Sequence, residues 1–203
     1  FGWKRKDGTR RFRRAFIEMG KGNGKSPLSA GIGLYGLMAD SENGAQIYAA
    51  AAKRDQAMIT FNDAVNMVRQ SPALEERVTP SGINPVWNLA DLKTGSFFRP
   101  VSRDSGKSGS GVRPHFALCD EIHEHPDRSI MEMLERGFKF RKQPLLLMIT
   151  NSGSDKNSVC WEEHAHAVDV ASGDMIDDTT FSYVCALDEG DDPLNDESCW
   201  IKV

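Results

Sequence analysis

A glycine-rich segment, residues 18–26, constrains this chain more than any other stretch, and it reads Glu-Met-Gly-Lys-Gly-Asn-Gly-Lys-Ser. The apolar residues 15–17 before it are typical of a buried strand, and the apolar spacing over residues 28–38 is typical of a buried helix. Glycines between a strand and a helix let backbone N–H groups converge on an anion at the helix N-terminus. The segment therefore predicts a phosphate-binding loop.

Two side chains of this loop have predicted tasks. Lys25 would bridge the β- and γ-phosphates of ATP, and the Ser26 hydroxyl would ligate Mg²⁺. The usual pattern G-x-x-x-x-G-K-[ST] has glycine where this chain has Met19, and Gly20 comes one position late. Taken alone, Gly-Lys-Ser could also be a helix-capping turn with an exposed lysine.

A pair of carboxylates follows a second apolar run, residues 116–119. Asp120 and Glu121 would lie beside the phosphate loop, because ligands bind outside the carboxyl ends of parallel strands. Asp120 is predicted to hold Mg²⁺ through its water shell, and Glu121 to polarise the water that attacks the γ-phosphate. Many strands end in acidic residues, so the prediction depends on the preceding phosphate loop.

Polar residues also follow the apolar run 145–149. Thr150 and Asn151 are predicted to sense the γ-phosphate from the end of that strand. The structural alternative is a loop that caps the next helix.

The sequence indicates neither a zinc site nor a disulfide framework. The histidines at 123 and 125 lack the spacing H-E-x-x-H, so a supporting or surface role is expected for them. The cysteines have no C-x-x-C spacing, and reduced thiols are expected at all four positions, Cys119, Cys160, Cys185 and Cys199.

Strand-like and helix-like segments alternate along the chain. Residues 46–51 suit a buried strand and residues 53–70 a helix, and shorter candidate strands follow at 86–89, 96–101 and 181–187. This alternation predicts a parallel sheet with helices on both faces. At 203 residues and 39% hydrophobic content, the chain can bury one sizeable core, so one domain is expected. No apolar run approaches the length of a membrane helix, and a soluble intracellular protein is expected.

Charge is distributed unevenly. Residues 1–25 carry nine Lys or Arg against two Asp or Glu, whereas residues 150–203 carry two against thirteen. The basic end, predicted to be a hairpin around residues 6–9, could contact nucleic acid or phosphate, or could simply be solvated.

The combination of motifs resembles one family, the ATPase domain of the large terminase subunit, which is the motor that packages DNA into tailed-bacteriophage capsids. The similarity runs through most of the chain. It depends on five segments, 22–26 (GNGKS), 47–57 (IYAAAAKRDQA), 99–104 (RPVSRD), 120–123 (DEIH) and 149–152 (ITNS).

The resemblance implies further residue roles. The phosphate loop of this family is often irregular and basic at the position of Lys21, so that lysine is expected to contact nucleotide phosphates. An arginine finger supplied by a neighbouring subunit is best matched by Arg103, with Arg99, Lys107 and Arg113 as alternatives. The whole predicted nucleotide-binding set is Lys21, Gly22, Asn23, Gly24, Lys25 and Ser26.

The resemblance also implies the fold and the partners. It predicts a P-loop NTPase of the additional-strand, catalytic-glutamate type, whose central, mostly parallel sheet is flanked by helices. The partners would be ATP, Mg²⁺, double-stranded DNA, the portal protein and the small terminase subunit, with a homo-oligomeric ring as the active form. The site of action would be the host cytoplasm, docked transiently on the procapsid. Residues 1–203 are expected to form one ATPase domain, without the nuclease domain of full-length members.

Three other functions stay open from the sequence. One is a helicase-like translocase, which would normally carry a second motor lobe. Another is a non-catalytic DNA-binding or assembly module that uses the basic hairpin. The third is a small-molecule kinase, which would transfer phosphate to an acceptor other than water.

Overall fold

The computed structural model of the protein describes residues 2–102, 111–188 and 190–203. Its strands are β1 (Arg14–Glu18), β2 (Gln46–Ala51), β3 (Thr79–Ser81), β4 (Asn88–Asp91), β5 (Ser96–Ser102), β6 (Phe116–Cys119), β7 (Leu145–Thr150) and β8 (Thr180–Val184). Its α-helices are α1 (Lys25–Met38), α2 (Arg54–Gln70), α3 (Pro72–Glu75), α4 (Ser129–Gly137) and α5 (Val159–Ser172). Short 3₁₀ turns cover Ile122–Glu124, Phe138–Phe140 and Glu197–Lys202.

All the strands named above form one sheet, in the order β3-β4-β5-β2-β6-β7-β1-β8. The strands from β5 to β8 in this order are parallel, whereas β3 and β4 add an antiparallel edge. Strand β7 lies between β1, which leads into the glycine loop, and β6, which leads into the acidic pair. This inserted strand confirms the predicted additional-strand fold.

The two faces of the sheet pack on different helices. In β1, Ala15 and Ile17 join a core that includes side chains of α1 and α2, while Phe16 joins a second core with side chains of α4 and α5. Successive residues of a strand point to opposite faces, so a short apolar run in β1 contributes to both cores. Helices therefore cover both faces, as the alternation in the sequence predicts.

Several element predictions need correction. The N-terminal hairpin is reduced to a turn with a single antiparallel bridge between Lys4 and Arg10. The strand expected at 86–89 begins later, as β4, and the strand expected at 181–187 ends earlier, as β8. Strand β3 and helix α4 were not predicted. Within the described residues, no helix is long and apolar enough to span a membrane.

The basic N-terminal segment places several of its charges in ion pairs. Arg11 pairs with Asp178 at 2.7 Å. Arg14 pairs with Glu135 and Glu163, which ties the start of β1 to α4 and α5. Part of the positive charge counted in the sequence therefore has a structural role.

Arg10 is buried at the opposite edge of the sheet from the glycine loop. It pairs with Asp40, which follows α1, and the Asp40 carboxylate also lies 2.7 Å from Nε2 of His115. All three side chains are almost completely inaccessible to solvent. We call this group the amino-edge cluster, because His115 directly precedes β6 and Arg10 lies four residues before β1.

Candidate active site

The glycine loop connects β1 to α1 at the carboxyl edge of the sheet. Gly22 and Gly24 have φ angles of +89° and +73°, in the left-handed region that favours glycine. Gly24 is also the N-cap of α1, and a glycine there has no side chain with which to cap the helix. The first N–H groups of α1 are therefore left for an anion from outside the helix.

Lys25 points back across this loop. Its Nζ donates hydrogen bonds to the carbonyl oxygens of Met19 and Gly20, both at 2.9 Å, and to Oδ1 of Asn151 at 2.5 Å. The residue is only 7% exposed. Lys25 forms no ion pair with any part of the chain that the structure describes, so its three acceptors are all neutral groups.

Asp120 lies at the end of β6, directly across from α1. Its Oδ2 accepts hydrogen bonds from the hydroxyls of Thr60, at 2.6 Å, and Ser26, at 3.3 Å. Its Oδ1 accepts the backbone N–H of Glu121 at 2.8 Å. The three contacts fix the orientation of the carboxylate.

Thr60 was missing from the predicted site. It lies on the buried stripe of α2, among residues such as Ala57, Phe61 and Ala64. A polar residue at helical spacing within an otherwise apolar stripe was the available signal, since a buried hydroxyl needs a hydrogen-bond partner.

Glu121 has an unusual backbone for a residue with a side chain, with φ 50° and ψ 56°. Its Oε2 lies 3.3 Å from Nδ2 of Asn151 and 3.2 Å from Nδ1 of His123. Burial raises the pKa of this carboxyl, and the neighbouring Asp120 charge raises it further, against the opposing charges of His123 and Lys25. A left-handed conformation at a non-glycine residue costs free energy and is common at functional sites.

The segment after β7 connects these groups. Sheet register places Thr150 beside Glu18, and the backbone N–H of Met19 donates to the Thr150 carbonyl at 3.2 Å. The next residue, Asn151, contacts both Lys25 and Glu121. Thr150 and Asn151 therefore lie between the glycine loop and the acidic pair, where the sequence placed them.

The donor set suits Mg²⁺ better than a transition metal. Among the described residues no group of three or more His, Cys, Asp or Glu side chains could hold a metal ion. The chain instead offers one carboxylate, Asp120, beside one hydroxyl, Ser26. Magnesium prefers such sparse oxygen ligation, completed by water and substrate phosphates.

The other predicted residues are placed less centrally. Lys21 and Asn23 are exposed on the outside of the loop. Arg103 and Lys107 lie outside the described residues. Arg99 donates to Oδ1 of Asn88 and stacks on Phe97, within its own sheet.

The last alternative for the arginine finger, Arg113, lies near the amino edge. Its backbone N–H donates to the Gln46 side chain at the start of β2, and its guanidinium lies over the Phe140 ring. This position is at the opposite edge of the sheet from the glycine loop.

Two histidines follow the acidic pair and contact it. The ring of His125 is buried, with Nε2 3.0 Å from the Asp120 carbonyl oxygen. Burial lowers the pKa of His125, against the opposing effect of that hydrogen bond. His123 contacts Glu121 and Thr150.

Comparison with known proteins connects this geometry to one family. The family model described as the ATPase domain of the terminase large subunit matches residues 1–168. The large subunit of the terminase of Enterobacteria phage HK97 is 31% identical over 146 residues, which are 70% of this chain and 28% of that protein. Protein YmfN of Escherichia coli K12 is 30% identical over 92 residues, which are 45% of this chain and 20% of that protein. The matched regions thus span less than a third of the length of either relative.

Solved structures agree on the fold. The crystal structure of the HK97 bacteriophage large terminase superposes with a TM-score of 0.80 at 24% identity, over 94% of this chain and 39% of that chain. The ATPase domain of the Thermus phage P74-26 large terminase superposes with a TM-score of 0.58 at 21% identity, over 73% of this chain and 63% of that chain.

Proposed function

The chain belongs to the family of terminase large-subunit ATPase domains, which act in phage DNA packaging, and we propose that it hydrolyses ATP with Mg²⁺ to translocate double-stranded viral DNA into a procapsid. The observation that best supports this proposal is the environment of Lys25. A buried ammonium whose hydrogen bonds all go to neutral acceptors is a site for an anion, and it lies beside a helix N-terminus that also favours one.

Nucleotide binding would depend on the loop and on α1. The backbone amides of residues 22–26 surround the phosphates, and Lys25 exchanges some of its present acceptors for the β- and γ-phosphate oxygens. Lys21, exposed at the outside of the loop, adds a second positive charge. The charge-assisted hydrogen bonds formed in this way are stronger than the neutral ones they replace.

Ser26 and Asp120 would hold Mg²⁺, which neutralises charge that develops on the phosphates during transfer. Thr60 contributes by holding Oδ2 of Asp120 in place. Glu121 would orient the attacking water and accept its proton, and the raised pKa of its carboxyl brings it closer to that of an efficient base at neutral pH.

Asn151 would couple nucleotide state to the rest of the domain. Its amide oxygen binds Lys25 while its amide nitrogen binds Glu121, so a phosphate that draws Lys25 away changes what holds the glutamate. Thr150 or Asn151 would thereby report loss of the γ-phosphate to the surface that grips DNA.

The remaining parts of the proposal concern assembly. Arg103 of a neighbouring subunit would complete the site in a homo-oligomeric ring, and an arginine finger is worth roughly 10³ to 10⁵ in rate in related enzymes. The ring would dock on the portal protein of the procapsid in the host cytoplasm and receive DNA through the small terminase subunit. Residues 1–203 would supply the motor domain of this assembly.

Glu121→Gln tests the proposal, because it keeps the shape of the side chain and removes its basicity. We expect Mg²⁺-ATP binding to persist while phosphate release falls about 10²- to 10⁴-fold, measured with the other packaging components present. Glu75→Gln, an exposed glutamate of α3 outside the site, is the matched control and should stay active. Hydrolysis at the wild-type rate in Glu121→Gln would remove this residue from the mechanism. Phosphate appearing on an acceptor other than water would indicate a kinase.

A further inference from the structure

We propose that His123 is a positioning residue that holds the Glu121 carboxylate so that one of its oxygens faces the attacking water. The proposal rests on the ATPase function proposed above and adds a residue to its machinery. His123 lies two residues after Glu121, in the 3₁₀ turn Ile122–Glu124, with 23% of its side chain exposed.

The ring of His123 has two neighbours at Nδ1, and its Nε2 lies 3.6 Å from Oε1 of Glu124. Its Nδ1 lies 3.2 Å from Oε2 of Glu121 and 3.1 Å from Oγ1 of Thr150. The backbone N–H of His123 donates to the same hydroxyl at 3.1 Å. The imidazole is therefore held between the acidic pair and the end of β7.

The neighbouring groups determine which ring nitrogen of His123 carries a proton. An ionised carboxylate only accepts hydrogen bonds, so Oε2 requires a donor at Nδ1. The Thr150 hydroxyl donates its single proton to the Asn151 carbonyl at 2.8 Å and presents lone pairs to His123. Both neighbours are thus acceptors, and Nδ1 carries hydrogen.

Glu121 has a second neighbouring donor, which contacts the same carboxylate oxygen. Nδ2 of Asn151 also contacts Oε2, at 3.3 Å. In the residues 2–102, 111–188 and 190–203, no hydrogen bond is made to Oε1 of Glu121. One carboxylate oxygen therefore accepts a hydrogen bond from Asn151 and lies within ion-pair distance of His123, and the other is left to receive the proton of the water.

This arrangement explains why the left-handed backbone at Glu121 is useful. The sharp turn brings the imidazole, only two residues away, back onto the carboxylate of Glu121. His123 does not reach the reacting atoms, so it acts through Glu121 alone. Its loss should change the rate of hydrolysis and leave the affinity for nucleotide unchanged.

The test compares His123→Ala with His123→Asn, whose side-chain amide can donate from a position close to that of Nδ1. Loss of a close polar contact to a charged group corresponds to a fall in kcat of about 10- to 100-fold in His123→Ala. We expect KM for ATP to change less than about twofold, and His123→Asn to recover most of the rate. Imidazole added to His123→Ala should also restore activity, because the position is partly exposed. His166→Ala, a partly exposed histidine of α5 that lies 3.7 Å from Asp177, is the control.

A double variant separates this proposal from the one on which it rests. In the Glu121→Gln background, His123→Ala should cause no further loss, because its effect passes through Glu121. Wild-type kcat in His123→Ala, or equal losses in the folded Ala and Asn variants, would overturn the positioning role. If His123→Ala fails to fold, His123→Leu takes its place in the comparison with His123→Asn. Wild-type activity in Glu121→Gln would instead overturn the proposed function.

Discussion

The two edges of the sheet both bury charged side chains, and they neutralise them in opposite ways. In the amino-edge cluster, Arg10 and His115 meet the carboxylate of Asp40 directly. At the carboxyl edge, Lys25 meets two carbonyls and an amide. At the first edge the buried cation already has a carboxylate partner in the chain, whereas at the second its natural partner is a ligand.

The carboxyl groups at the two edges also differ in the direction of their pKa shifts. Burial acts to raise the pKa of Asp40, but the hydrogen bond from His115 and the charge of Arg10 outweigh it and hold the pKa below its ordinary value. For Glu121, burial and the charge of Asp120 prevail, and the pKa is raised. The environment of the structural carboxylate thus favours its charged form, while that of the candidate catalytic one disfavours it.

The largest expected effect on stability comes from Arg10→Met. It leaves the Asp40 charge buried with one partner fewer, and breaking a buried ion pair costs about 3–5 kcal/mol of unfolding free energy. Lys25→Met is the matched change at the other edge, where no ion pair is broken, and it should stay within about 1 kcal/mol of wild type. Denaturant unfolding measures both. Equal losses in the two variants would contradict the distinction between the edges.

Thr60→Val should have a smaller effect and should act on function. The variant keeps the side-chain volume and removes the hydroxyl that holds Asp120. Partners that orient a metal ligand are typically worth 10- to 100-fold in metal affinity or activity, so we expect a loss of about that size. Mg²⁺ titration of the ATPase rate measures it. Thr79→Val, at the exposed edge strand, is the control, and an unchanged Mg²⁺ requirement in Thr60→Val would exclude Thr60 from the site.

The smallest expected effect is the pH dependence of the amino-edge cluster. Because the pKa of Asp40 is lowered in the folded protein, its contribution to stability is present above the ordinary value of 3.8 and is lost as the pH falls through the folded-state pKa. The difference in unfolding free energy between wild type and Asp40→Asn should therefore shrink below pH 3.8. Unfolding curves recorded from pH 7 downward test this. A constant difference across that range would show that the Asp40 charge does not stabilise the fold.

The sequence predicted the parts of the molecule whose signals are local. The glycine loop, the acidic pair and the polar residues after β7 each follow a contiguous apolar strand, so their common edge could be inferred before the structure. The parallel sheet was predicted from the alternation of strand-like and helix-like segments. The inserted position of β7 was predicted from the family resemblance.

What could not be predicted depends on contacts between distant residues or on weak local patterns. Asp40 and His115 are 75 residues apart, and nothing in either segment indicates that they meet. Strand β3 has three residues, one of them Pro80, and shows no alternation. Helix α4 has an apolar stripe at Ile130, Met131 and Leu134, but over nine residues this spacing is a weak signal.

The most direct test of the central claim is calorimetric titration of Mg²⁺-ATP into wild type, Lys25→Met and Lys142→Met. Lys142 is exposed near the amino edge, so its variant removes the same charge far from the proposed site. We expect wild type and Lys142→Met to bind equally well, and Lys25→Met to bind at least about tenfold more weakly while remaining folded. Equal affinity in all three proteins would show that the buried lysine does not bind nucleotide and would contradict the proposed site.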